Sequence, residues 1–244
     1  MSSKLPASWY SNRLERDVNV VRWGDIGMPV LVFPTAGGDA EEIERFQLVS
    51  ACSELLEAGR VKLYSVDSVN GRAMLAGEGD AAHQAWLQRQ FFEFIASELV
   101  PAVRADCGSA DIELLAAGAS IGAFNSLACV CLLPDMFRAA VCMSGTFQLR
   151  RFFDGAVGDD FVMSSPLEAL AHFGEEHLDR IRTRFIVFAS GEGANEDIGE
   201  SWHAAHVIGA AGIPNRVDPW GRHWAHDWPL WRAMLPGYLD ELVD

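Results

Sequence analysis

Gly118-Ala119-Ser120-Ile121-Gly122 holds a serine with a glycine two positions before it and another two positions after. The strand-like run Glu113-Leu114-Leu115-Ala116-Ala117 leads into it and a helical run, Ala123 to Cys131, leads out. On so tight a strand-to-helix turn the neighbouring backbone approaches closely, so small residues are needed on either side of the serine, and its hydroxyl stands out as a nucleophile. The chemistry that suits it is acyl transfer. A serine hydroxyl is a weak nucleophile at neutral pH, so a base must take its proton and a carboxylate must orient that base.

On a sheet of this type the three groups follow in the order serine, acid, histidine. Only a histidine after the last long strand can fill the final place, and His223 and His226 are the two candidates there. His226 is assigned as base, because Asp227-Trp228-Pro229 reads as the opening of the last helix and the base belongs in the loop just before it. His223 is left to line the pocket or to face solvent. The acid belongs in the loop from Ser190 to Gly199, where Glu192, Glu196 and Asp197 compete. Glu196 is chosen, since the Gly191-Glu192-Gly193 turn brings the middle of the loop back over the sheet. Asp197 suits the N-terminus of the following helix as a cap.

Charge that develops on a carbonyl oxygen needs two fixed N–H donors. One is the backbone N–H of Ile121. The other is assigned to Ala36 in Pro34-Thr35-Ala36-Gly37-Gly38-Asp39, with Gly37 beside it as a pocket residue. Five of the eight tryptophans fall late, at Trp202, Trp220, Trp224, Trp228 and Trp231. Trp228 and Trp231 read as core packing and helix anchors, while Trp220 or Trp224 could line an acyl or aromatic pocket.

The elements that must position these groups alternate. Strands are expected at Leu14 to Trp23, Pro29 to Phe33, Val61 to Val66, Ile112 to Ala117, Arg138 to Met143, Phe185 to Ala189 and around Arg216-Val217. Helices are expected from about Glu41 to Ala58, stopped by Gly59, from about Ala81 to Arg104, after Ser120, and from about Gly199 to Ala211. The stretch from Phe147 to His177 has no clean period and reads as short helices and loops near the top of the sheet. Such alternation predicts an α/β fold, a mostly parallel sheet with helices on both faces, as one domain over residues 1–244.

Composition narrows the partners. The chain has 244 residues, half of them apolar, and a formal charge of −15. That field repels phosphate backbones and anionic membranes, so neither nucleic acid nor membrane is expected as a partner. The start of the chain lacks the apolar core of a secretory signal, and no apolar run reaches the roughly 20 residues needed to span a bilayer. Five cysteines, an odd number mostly in apolar surroundings, read as reduced core thiols of a cytoplasmic protein.

Together these segments resemble the esterase D-like branch of the α/β-hydrolases, a group with feruloyl esterases, enterochelin-type esterases and mycolyltransferases. The resemblance runs through Phe33-Pro34-Thr35-Ala36-Gly37-Gly38, Glu98-Leu99-Val100-Pro101, the turn at Ser120, Pro134-Asp135-Met136-Phe137-Arg138-Ala139-Ala140, Ser144-Gly145, and His226-Asp227-Trp228 with Trp231. It implies an eight-stranded type of sheet and a metal-independent Ser–acid–His mechanism needing no cofactor. It implies Ser120 as nucleophile, His226 as base, and Ala36 with Ile121 as oxyanion donors. The usual Gly-x-x-Asp after the late strand is replaced here by Gly191-Glu192-Gly193-Ala194, and the oxyanion loop has Thr35-Ala36 where many relatives have His-Gly.

The expectation is therefore a carboxylic-ester hydrolase acting on a small-molecule ester through an acyl-enzyme. Two alternatives stand beside it: an acyltransferase with the same triad, and a hydrolase fold kept only as an interaction scaffold. Assembly into a homo-oligomer is left open. His203 with His206, and His223 with His226, have a metal-like spacing, but neither pair has the adjacent glutamate of a zinc protease, so no metal is assigned. Gly191-x-Gly193 lacks the third glycine of a dinucleotide loop.

Overall fold

Apolar, β-branched runs form strands because their side chains pack well on a pleated surface, and here they join edge to edge. The computed structural model describes residues 3–243. Its strands are β1 (Lys4–Ser11), β2 (Arg16–Trp23), β3 (Met28–Phe33), β4 (Val61–Val66), β5 (Leu114–Ala119), β6 (Phe137–Met143), β7 (Phe185–Ser190) and β8 (Asn215–Pro219). They form one sheet in the order β1-β2-β4-β3-β5-β6-β7-β8. β2 runs antiparallel to β1 and β4, and all other pairings are parallel.

The helices are α1 (Glu42–Arg45), α2 (Leu48–Ala51), α3 (Ser53–Glu57), α4 (Val69–Ala76), α5 (Ala81–Phe94), α6 (Val100–Asp106), α7 (Ile121–Leu132), α8 (Asp159–Ser164), α9 (Pro166–Ala169), α10 (Glu175–Ile181), α11 (Ile198–Ala210) and α12 (Trp228–Leu242). They cover both faces. The two-residue period of β3 divides its side chains between them. Leu31 and Phe33 pack with Phe91, Phe94, Phe124 and Phe188, whereas Val30 and Val32 face the core that holds Trp231, Met234 and Leu235. Every residue of β4 and β5 is buried, as strands covered on both sides must be.

Two expected helices are broken, each for a physical reason. In place of one helix from Glu41 to Ala58 there are three short ones, with Gln47 at φ 63° between the first two. That left-handed conformation costs roughly 1–2 kcal/mol for a residue with a Cβ. It is held by contacts from α12: Phe46 stacks on Trp228 with centroids 4.6 Å apart, and Arg232 Nη1 donates to the Phe46 carbonyl at 3.0 Å. Between α5 and α6 the chain widens into a π-helical turn, Ile95–Leu99. Pro101 follows at once, and it has no N–H to donate and a ring that crowds the carbonyl four residues back. Within the turn, Glu98 accepts hydrogen bonds from Trp9 Nε1 at 3.0 Å and Ser11 Oγ at 2.8 Å, tying β1 to the helices.

β1 itself was not expected. It is a largely exposed edge strand, and although Leu5, Ala7 and Trp9 alternate, the proline between them at Pro6 demotes the run as a strand candidate. The stretch from Phe147 to His177 does break into short pieces, with 3-10 turns at Leu149–Phe152 and Leu170–His172 beside α8, α9 and the start of α10. No helix among the described residues is long and apolar enough to cross a membrane. The five cysteines carry free thiols, and burial pushes Cys52 and Cys131 up to about 12.

Candidate active site

The turn between β5 and α7 closes on itself. Ser120 has φ 57° and ψ −118°, a strained conformation that persists only when its surroundings enforce it. The enforcement comes from missing side chains. A Cβ on Gly118 would lie 2.5 Å from the Gly122 carbonyl carbon, and one on Gly122 would lie 2.6 Å from the Phe33 oxygen. Ser120 N–H donates to the Met143 carbonyl at 3.0 Å, which ties the turn to the end of β6.

Beside Ser120 runs the loop after β3. Its Thr35 is clamped by buried Glu42, whose carboxylate accepts from Thr35 N at 2.7 Å and from Thr35 Oγ1 at 2.8 Å. α4 packs behind, so close that a Cβ on Gly71 would sit 2.9 Å from Ala36 Cα. Among the described residues neither the Ala36 nor the Ile121 N–H donates to another protein group. Both residues line a cleft of about 300 Å³ with Ser120, Met74, Leu75, Thr146, Leu149 and Phe152. A larger cavity of about 520 Å³ lies over β1 and β2 near Asn19, Asp39, Asp67 and Arg72. It contains no part of the serine turn, so the smaller cleft is where acyl chemistry could occur.

The carboxylate of Glu196 is buried, with 1 % of its side chain exposed, and lies 3.5 Å from His226 Nδ1 through Oε2. Ser190 Oγ donates to the same oxygen at 3.1 Å, and Ser144 Oγ donates to Oε1 at 2.5 Å. Burial pushes the Glu196 carboxyl upward, but the hydrogen bonds from His226 and Ser144, with the attraction of His226, outweigh it and leave the group below its ordinary value. Asp197 caps α11, accepting from Gly199 N at 3.0 Å. Glu192 is exposed. Among the described residues no hydrogen bond joins Ser120 Oγ to His226, a contact often loose before substrate is bound.

Gly191 and Gly193 have a role that the sequence reading missed. A Cβ on either would lie 2.4 or 2.5 Å from the Trp224 carbonyl oxygen, because the histidine loop crosses directly over them. The crossing is stitched by Gly193 N to Trp224 O at 2.9 Å and His226 N to Ala194 O at 3.0 Å. Trp224 itself packs edge-on to Trp220, 6.1 Å away, against the core on the α12 side of the sheet. It does not line the serine cleft, and neither does exposed His223. Gly37 stands beside Leu75 at the edge of that cleft.

Residues 57–241 match the family model described as "Putative esterase". The chain belongs to the esterase family. It is a carboxylesterase-type hydrolase with the α/β-hydrolase fold expected from its sequence. No curated protein matches this esterase by sequence. Its fold is similar to that of a ferulic acid esterase (TM-score 0.74, 13 % identity, 100 % of this chain and 98 % of that one). It is also similar to an S-formylglutathione hydrolase from Agrobacterium tumefaciens (0.73, 12 %, 99 % and 95 %). The enterobactin esterase of Shigella flexneri is a further neighbour (0.66, 18 %, 99 % and 59 %).

Several residues that shape the esterase's site carried no local signal. Ser144 and Ser190 are single serines at strand ends, and Glu200 is one of many acids, yet it accepts from Phe147 N and Gln148 N at 2.8 and 3.1 Å. It thereby fixes the segment that brings Leu149 and Phe152 to the cleft.

Two outcomes are expected from this geometry. Gly193→Ala should displace the histidine loop, lowering esterase turnover at least tenfold and reducing the melting temperature; wild-type turnover on a p-nitrophenyl ester would contradict the close crossing. Asp197→Ala should lose about 1 kcal/mol of stability with turnover retained, while Glu196→Gln should lose turnover with little change in KM. Denaturant melts and steady-state kinetics of the two variants compare them directly, and an inactive but stable Asp197→Ala would exchange their roles.

Proposed function

We propose that the chain cleaves carboxylic esters with Ser120 as nucleophile, His226 as general base and Glu196 as the acid that orients it. The observation that carries the reading is the convergence at one cleft of the strained Ser120 with two backbone N–H groups, those of Ala36 and Ile121, that no acceptor among the described residues uses. A buried polar group without a partner is destabilising, and donors left free at a cleft fit an acceptor that arrives with substrate.

In this scheme Glu196 accepts from His226 Nδ1–H, which leaves Nε2 with a lone pair facing the serine. His226 takes the Ser120 proton as Oγ attacks the ester carbonyl, and the Ala36 and Ile121 N–H groups stabilise the resulting oxyanion. The tetrahedral intermediate collapses with loss of the alcohol, which takes the proton from His226. Water, deprotonated by the same histidine, then releases the acid from Ser120. The low position of the Glu196 carboxyl supports its role, since it stays ionised when the imidazolium forms.

The cleft walls favour an uncharged acyl group. Met74, Leu75, Leu149 and Phe152 are apolar, and the polar lining residues, Ser120 and Thr146, are neutral. Leu75 and Phe152 are 65 % and 50 % exposed, so they offer apolar surface that a substrate could cover at about 25 cal/mol per Å².

Ser120→Ala should lose on the order of 10⁶ in kcat if the triad acts as a unit, and a fluorophosphonate should label Ser120 in the unaltered protein. Mass spectrometry of the labelled peptide and assay of the variant test both; an unlabelled Ser120 would favour a scaffold without catalysis. His226→Ala should match that loss, and His223→Ala should not. For the cleft, p-nitrophenyl hexanoate should be a better substrate than a p-nitrophenyl hemisuccinate, and Leu75→Ala or Phe152→Ala should reduce kcat/KM for the hexanoate several-fold. Equal rates on the neutral and anionic acyl groups would remove the argument from the cleft walls.

A further inference from the structure

Behind Glu196 lies a second layer of hydrogen bonds. Trp231, on α12, donates its indole N–H to Ser144 Oγ at 2.9 Å, and Ser144 Oγ donates to Glu196 Oε1. The direction of this chain is forced. An indole nitrogen can only donate, so Ser144 must accept from it, and its single hydroxyl proton is left for the carboxylate. Ser190 is less constrained, because its proton has two acceptors in reach, Glu196 Oε2 and the Gly191 carbonyl at 3.0 Å.

All three members are shielded from water: Ser144 is 3 % exposed and Trp231 4 %. Ser144 is held at φ 46°, with its own N–H donating to the Ala189 carbonyl at 2.7 Å. Trp231 also reaches the other end of the pair, its ring standing edge-to-face with His226 at 5.2 Å and 89°. One indole therefore touches the base through its ring and the acid through its N–H.

We propose that Ser144 and Trp231 are positioning residues, a relay that fixes the Glu196 carboxylate so that Oε2 faces His226 Nδ1. This rests on the triad reading above. The groups around Glu196 leave the relay a distinct signature. From β6 and β7 it meets serine hydroxyls, from α12 it meets an indole by way of Ser144, and the ionisable group paired with it is His226. Loss of the Ser144 donor makes the carboxylate more basic, and a more basic carboxylate holds the imidazolium more tightly.

The test is the pH dependence of p-nitrophenyl butyrate hydrolysis by Ser144→Ala, Trp231→Phe and Glu196→Gln. Ser144→Ala should lower kcat by about 10- to 100-fold, as expected for loss of a hydrogen bond to a charged group. KM should stay within about twofold and the acid limb of kcat/KM should move to higher pH, as the linkage above requires. Trp231→Phe keeps a ring beside His226 but frees the Ser144 proton, so it should shift the same limb by less; it decides the matter if Ser144→Ala does not fold. An inactive Glu196→Gln alongside wild-type kcat and pH profile in both relay variants overturns the relay and spares the triad. Activity in Glu196→Gln overturns the triad reading itself.

Discussion

Backbone touches backbone at three places above the strand ends, and the geometry of the site depends on it. Gly118 meets Gly122, Gly122 meets the oxygen of Phe33, and Gly191 with Gly193 meets the Trp224 carbonyl. At each contact a methyl group would overlap a backbone atom by a wide margin, so the strain is not one that a side-chain rotation could relieve. The serine turn is thereby referred to the loop after β3, and the histidine loop to the loop after β7, through peptide groups, the stiffest parts of the chain. Precision is obtained without long side chains, whose rotamers would have to be frozen.

The second constraint is electrostatic. A carboxylate with almost no exposed surface lies inside a protein of formal charge −15, where an unpaired charge would be strongly unfavourable. Hydroxyl donors and one imidazole satisfy it. They keep it ionised, and they also limit the rotamers it can adopt, so stability and orientation come from the same hydrogen bonds.

Much of this was legible where the signal is local. The serine turn could be read because strand, glycine pair and helix follow within a few residues. Asp197 could be separated from Glu196 because capping is a chemistry of neighbouring residues, and the parallel strands stand out as buried apolar runs. The rest depends on distant segments. The break at Gln47 is held by Phe46 and α12, which are 186 residues apart at the Arg232 contact. Edge strand β1 has one neighbour, and Pro6 interrupts the short apolar alternation of Leu5, Ala7 and Trp9. Gly191-Glu192-Gly193 could be read as a turn, but the loop crossing that requires both glycines is one that no periodicity records. Ser144 acquires its partners only because β6 lies beside β7 and α12 docks behind both.

The indole of Trp231 has a consequence for how the molecule matures. Ribosomal synthesis delivers the serine turn and the loops after β3 and β7 before residues 228–242 emerge, and domains tend to acquire structure as they leave the tunnel. Until α12 settles on the sheet, the core around Val30 and Val32 lacks its cover and Ser144 lacks its donor. Docking of α12 therefore closes one core and supplies the Ser144 donor in the same step.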